Sequence, residues 1–164
     1  MKYKVPHSDP ARAQCNGLEI VYDTFGDPSA PPLLLVNGLG VQMIHMDDEF
    51  CEALAARGYW VVRYDNRDVG LSTKFDTAGV PDLMAMMQAA MQGQTVQAPY
   101  TLSDMADDAV GLLDALQIDS AHVVGISMGG MIAQTMATQH PDRVRTMTSI
   151  MSVSYTHLRA HETV

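Results

Sequence analysis

The feature that most restricts the fold is Gly125-Ile126-Ser127-Met128-Gly129, a G-x-S-x-G pentapeptide. It lies between the strand-like run His122-Val123-Val124 and a helical stretch from Met131 to His140 that Pro141 stops. A serine placed between strand and helix projects from a turn so tight that neighbouring side chains would clash, so the positions two before and two after it must be small. Gly130 extends that small surface, and Ala133 and Ala137, four residues apart, predict a helix that packs closely on a sheet. Such a helix aims its first backbone N–H groups at the serine, where they can stabilise developing negative charge. The pattern predicts a strand-turn-helix unit with Ser127 as candidate nucleophile.

The rest of the chain alternates in the same way. Leu18 to Phe25 reads as an outer antiparallel strand before the turn signals Gly26-Asp27-Pro28 and Pro31-Pro32. Leu33-Leu34-Leu35-Val36 is a continuous apolar run, as expected for a strand buried on both faces of a parallel sheet. Asp47 to Arg57, with Phe50 and Leu54 on one stripe and Cys51 one position off it, predicts a helix ending at Gly58. Tyr59 to Tyr64 is the next strand and Asp65 to Thr73 the loop leaving it. Thr101 opens a helix whose Leu102, Met105, Ala109, Leu112, Leu113 and Leu116 recur at three- and four-residue spacing. Thr101 with Asp104 resembles a capping box, and Asp107 and Asp108 add negative charge near the positive helix end. Val144 to Met151 is the last strand. Two leading strands followed by β-α units imply an α/β fold, a mostly parallel sheet with helices on both faces.

Chain length and charge narrow the partners. At 164 residues, 47% of them hydrophobic, the chain suits one domain. A formal charge of −9 disfavours nucleic acid and anionic membranes, which such a surface repels, and favours a small neutral substrate. Cys15 and Cys51 lie far apart with no C-x-x-C, so they read as buried free thiols rather than a zinc site or a disulfide. The N-terminal residues lack the apolar run of a signal peptide and nowhere do eighteen apolar residues run together, so a soluble cytoplasmic protein is expected.

Two further segments carry chemistry. Asn37-Gly38-Leu39-Gly40 directly follows the buried Leu33 to Val36 strand, a position suited to a loop that donates a backbone N–H to an oxyanion. That donor is assigned to Leu39 and its partner to Met128, the residue after Ser127. Asp65-Asn66-Arg67-Asp68-Val69-Gly70-Leu71-Ser72 forms a D-x-R-x-x-G-x-S pattern with a structural reading, in which Asp65 and Arg67 satisfy loop backbone groups and each other. An acid that precedes the nucleophile is in the wrong chain order for a triad. Met84, Met86, Met87 and Met91, with Met43 and Met46, concentrate adaptable thioethers in a segment that reads both as a short core-packed helix and as a substrate lid over residues 83–100.

Together these pieces resemble the α/β-hydrolase family, in its esterase and lactonase branch of aclacinomycin methylesterase-like proteins, over about Asn16 to Ser152. The resemblance implies an eight-stranded α/β-hydrolase fold in which a serine, an acid and a histidine cleave a carboxylic ester or lactone through an acyl-enzyme, with no cofactor and no metal. Family members usually place His before Gly in the oxyanion loop, where this chain has Asn37. They also place the triad acid after strand six or seven and the histidine after strand eight. Residues 1–152 are therefore expected to be the N-terminal part of one such domain, truncated after about strand six and inactive alone. Residues 153–164 resemble a translated sequencing adapter, so His157 and His161 are discounted as bases. A carbon–carbon bond hydrolase and a cofactor-free perhydrolase remain open within the fold. A protein of the same fold that binds a small molecule or partner without turnover is the non-enzymatic alternative. A dinucleotide-binding domain is disfavoured, since no G-x-G-x-x-G follows the early strands.

Overall fold

The computed structural model describes residues 4–79, 82–94 and 98–152. The expectations placed on residues 153–164, including His157 and His161, lie outside the described residues. Six strands form one sheet: β1 (Ala11–Cys15), β2 (Leu18–Phe25), β3 (Pro32–Val36), β4 (Trp60–Tyr64), β5 (Ala121–Ile126) and β6 (Val144–Ile150), in the spatial order β1-β2-β4-β3-β5-β6. β2 is antiparallel to both of its neighbours, β1 and β4, while β3, β4, β5 and β6 run parallel. The outermost strand is β1, which the sequence reading missed, and β2 lies inside it.

β3 is central and its five residues are buried, as the unbroken apolar run requires. Its alternate side chains feed two cores. Leu34 and Val36 face α3 (Leu102–Ala115) and α4 (Met128–Gln139), packing with Leu112, Leu113, Ile132 and Met136. Leu33 and Leu35 face α1 (Asp48–Ala55) through Cys51 and Ala55. Helices therefore cover both faces. On α1 the buried stripe runs through Cys51 and Ala55, whereas Phe50 is largely exposed, which corrects the expected face by one residue. Both cysteines are free and buried. Burial pushes the Cys15 thiol up to about 11 and the Cys51 thiol up to about 12, so both stay protonated and inert.

Helix α3 starts at a complete capping box, with the Thr101 hydroxyl accepting from Asp104 N–H and the Asp104 carboxylate accepting from Thr101 N–H. The aspartates after it do not serve the helix end as expected. Asp107 bonds His140, and Asp108 is buried against Arg67 through two hydrogen bonds of 2.6 and 2.7 Å. Arg67 thus pairs with Asp108 rather than with Asp65. The Arg67 guanidinium also lies 5.5 Å from the Phe75 ring centre and 5.2 Å from that of Tyr100. In the chain between those two residues lies the Met-rich helix α2 (Leu83–Met91), with Met84 and Met91 exposed. The side chains of Met86 and Met87 lie outside what is described.

A bidentate pair this deeply buried is costly to half-remove, because the remaining ion keeps its desolvation penalty without its partner. Arg67→Met is expected to lower unfolding stability by about 3–5 kcal/mol, read as a fall in the urea midpoint. Combining it with Asp108→Leu should restore most of that loss. A single variant as stable as the parent would show that the pair does not secure the loop after β4 to α3.

Candidate functional site

Ser127 occupies the turn between β5 and α4 with φ 56° and ψ −122°. A non-glycine residue in this left-handed region costs roughly 1–3 kcal/mol and persists only where its surroundings enforce it. Here they do. Ser127 N–H donates to the Ile150 carbonyl of β6 at 2.8 Å, and Gly130 N–H donates to the Ser127 carbonyl at 2.9 Å. A Cβ at Gly125 would overlap the Gly129 carbonyl, and one at Gly129 would overlap the Val36 carbonyl of β3. At Gly130 a Cβ would come within 2.5 Å of Ser149 Oγ. The helix begins three residues earlier than its periodicity suggested, directly at Met128. Ser127 is exposed, and its Oγ makes no hydrogen bond with a described residue.

The loop from Asn37 to Met43 lies against this turn. A Cβ at Gly38 would come within 3.2 Å of the Ser127 Cβ and 3.6 Å of its Oγ, so the loop backbone passes directly beside the candidate nucleophile. The N–H groups of Leu39 and Met128 bond to no described residue. Asn37, standing where the family usually has histidine, donates from Nδ2 to the Gln42 carbonyl at 3.2 Å and so braces the loop across its base.

The end of β4 supports that loop. Asp65 Oδ1 accepts Met43 N–H at 2.7 Å, Oδ2 accepts Leu71 N–H at 2.9 Å, and Asn66 Nδ2 donates to the Asn37 carbonyl at 3.0 Å. Asp65, Asn66 and Asn37 are all buried. The sequence reading attached Asp65 to loop backbone groups but did not single out Asn66, which looks like any turn residue until its carbonyl partner is known. Farther along the sheet, Arg63 chelates Asp23 at 2.7 and 2.8 Å and donates to the Met46 carbonyl, fixing the start of α1.

Of the four described histidines three are engaged elsewhere, His7 with Asp23, His122 with Thr146 and His140 with Asp107, and His45 is exposed after β3. A cleft of about 600 Å³ lined by His7, Asp47, Asp48 and Arg63 does not include Ser127. Leu39, Ile44 and Leu71 stand largely exposed on the loops leaving β3 and β4. Among the described residues no group of three or more His, Cys, Asp or Glu is gathered to hold a metal ion, and no helix is long and apolar enough to cross a membrane.

Comparison with known proteins agrees with this architecture. The α/β-hydrolase fold family matches residues 31–163. The chain is 39% identical over 127 residues to rhodomycin D methylesterase DauP of Streptomyces sp. (strain C5), covering 77% of this chain and 37% of that protein. It is 31% identical over 122 residues to 3-oxoadipate enol-lactonase 2 of Acinetobacter baylyi, covering 74% of this chain and 37% of the relative. The solved enol-lactonase of Burkholderia xenovorans LB400 superposes with a TM-score of 0.64 at 29% identity, over 84% of this chain and 45% of that one. The chain thus spans under half the length of these relatives. A mostly parallel six-stranded sheet, a G-x-S-x-G turn between strand and helix, and a family match over most of its length together place the chain in the α/β-hydrolase fold family.

Proposed function

We propose that these residues supply the nucleophile and oxyanion hole of a serine hydrolase that cleaves carboxylic esters or lactones. The observation that carries this is Ser127 itself, exposed at a strained turn with the Gly38 backbone against it and unspent N–H groups at Leu39 and Met128. The methylesterase and enol-lactonase names of the relatives point to the same bond type. Ser127 Oγ attacks the carbonyl carbon while its proton passes to a histidine base outside the described residues, and the carbonyl oxygen takes the negative charge between the Leu39 and Met128 N–H groups. Collapse expels the alkoxide, which takes the proton back from the imidazolium. Water then cleaves the acyl-enzyme by the same route, returning the acid and free Ser127. No redox group or metal enters this sequence.

In a full-length protein carrying these residues, Ser127→Ala is expected to abolish turnover of p-nitrophenyl esters while leaving the melting temperature within a few degrees, since alanine fits the same turn and removes only the hydroxyl. Undiminished turnover would sink the nucleophile assignment. A parent that neither turns over esters nor reacts with a fluorophosphonate probe would support the non-catalytic binding alternative.

Gly38→Val should slow acylation, because a branched side chain beside Ser127 displaces the backbone that presents Leu39 N–H. One oxyanion donor is worth about 10²–10³ in rate. An unchanged single-turnover acylation rate in a normally melting variant would remove the Asn37 to Met43 loop from the site.

The 164-residue chain alone is expected to be inactive, because Ser127 has no described base. An oxyanion hole with binding alone leaves only a residual roughly 10³–10⁴ over water. Strand β6 also exposes Met147 and Ile150, and with them an aggregation-prone edge. Comparing solubility and ester turnover of residues 1–164 with a full-length relative checks both points. Turnover near that of the relative would show that the chain completes its own site.

A further inference from the structure

We infer that Asp65 and Asn66, at the end of β4, are positioning residues that set the geometry of the oxyanion hole by suspending the Asn37 to Met43 loop at its two ends. The inference rests on the assignment of Ser127 as nucleophile and of Leu39 N–H as an oxyanion donor. Leu39 lies in the middle of the loop and its N–H has no bond to a described residue, so its direction is inherited from wherever the loop is fixed. The fixed points are few. At the entry, Asn66 Nδ2 holds the Asn37 carbonyl at 3.0 Å; at the exit, Asp65 Oδ1 holds Met43 N–H at 2.7 Å. Between them run the brace from Asn37 Nδ2 to the Gln42 carbonyl and a longer 3.3 Å bond from Val41 N–H to the Gly38 carbonyl.

The suspension is itself immobilised. The second oxygen of Asp65 accepts Leu71 N–H, its own carbonyl accepts from Ser72 Oγ at 2.7 Å, and Ser72 Oγ accepts Val21 N–H from β2 at 2.8 Å. Gly70, at φ 51°, leaves the space that the Asp65 carboxylate fills, because a Cβ there would overlap it. Asp65 is 3% exposed and Asn66 2%, so neither can exchange its partner for water without rearrangement. Two adjacent side chains thus transmit the position of the sheet to a backbone N–H on another loop. A donor placed about 1 Å from its best position costs about 10²-fold in rate even when substrate still binds.

This reading predicts a split that general destabilisation would not give. In the full-length protein, Asn66→Ala and the isosteric Asn66→Asp, which cannot donate to the Asn37 carbonyl, should each lower kcat about 10- to 10²-fold and leave KM within about twofold. Affinity for a trifluoromethyl ketone, whose hemiketal with Ser127 carries an oxyanion, should fall by the same factor as kcat. Asp65→Asn keeps one carboxylate-like acceptor and is expected to show a smaller loss of the same kind. Melting temperatures are recorded for every variant, and rates are taken per folded active site by fluorophosphonate titration. Unchanged kcat in both Asn66 variants, or a fall in kcat without a matching fall in ketone affinity, would overturn the inference while Ser127→Ala remained dead. Activity surviving in Ser127→Ala would instead overturn the nucleophile assignment beneath it.

Discussion

The contact on which the rest of the site depends is the one between Gly129 and the Val36 carbonyl. With no side chain at 129, the first turn of α4 settles onto the end of β3, and any Cβ would occupy the same space as that oxygen. Because β3 pairs with β5 in parallel through Leu33↔His122 to Val36↔Gly125, the strand that delivers Ser127 and the strand that delivers the Asn37 loop end at the same level. Close helix seating brings the two loops so near that a Cβ added at Gly38 would lie 3.2 Å from that of Ser127. The strained φ of Ser127 is a consequence of this packing, and the Ile150 carbonyl holds it from the other side.

A second layer of constraint is electrostatic. The end of β4 concentrates Arg63, Asp65, Asn66 and Arg67, all buried and all satisfied by named partners. Buried charges of this kind contribute little net stability compared with apolar residues of equal volume. Their value lies in direction: each bonds a particular backbone group or a particular partner, so these pairs fix one arrangement of the loops after β3 and β4. Hydrophobic contacts with Leu34, Val62 and Leu113 hold the layers together, and the polar groups decide the register of the loops above them.

Much of this was legible in the sequence because small residues and apolar runs report local geometry directly. The glycines around Ser127 and the buried run of β3 could hardly fold otherwise, and the α3 stripe from Met105 to Leu113 matched the observed core. What was not legible depended on distant partners. Strand β1 is hard to read because the alternation in Ala11–Cys15 is carried only by small residues of weak strand preference, of which Ala13 and Cys15 are buried. Phe50 and Leu54 share a stripe by their spacing, while it is Cys51 and Ala55 that fit beneath β4. Met128-Gly129-Gly130 has weak helix propensity, and tertiary packing at the turn overrides it. Asp108 looked like a helix-end charge until Arg67, 41 residues earlier, came to meet it. The role of Asn66 could be seen only once its partner carbonyl was in place.

The meeting of Phe75 and Tyr100, with ring centres 5.3 Å apart over Arg67, has a consequence for how such a chain can diverge. Asp68 accepts Phe75 N–H at 2.6 Å and the Arg67 guanidinium lies against both rings, so both ends of the intervening stretch meet at one point on the domain frame. The entropy of closing a loop between fixed ends grows only as the logarithm of its length, about 0.6 kcal/mol for each doubling. Residues 76–99 can therefore be lengthened, shortened or rewritten with little effect on the sheet or on Ser127. Sequence drift in that stretch is absorbed between two fixed ends instead of being passed on to the sheet.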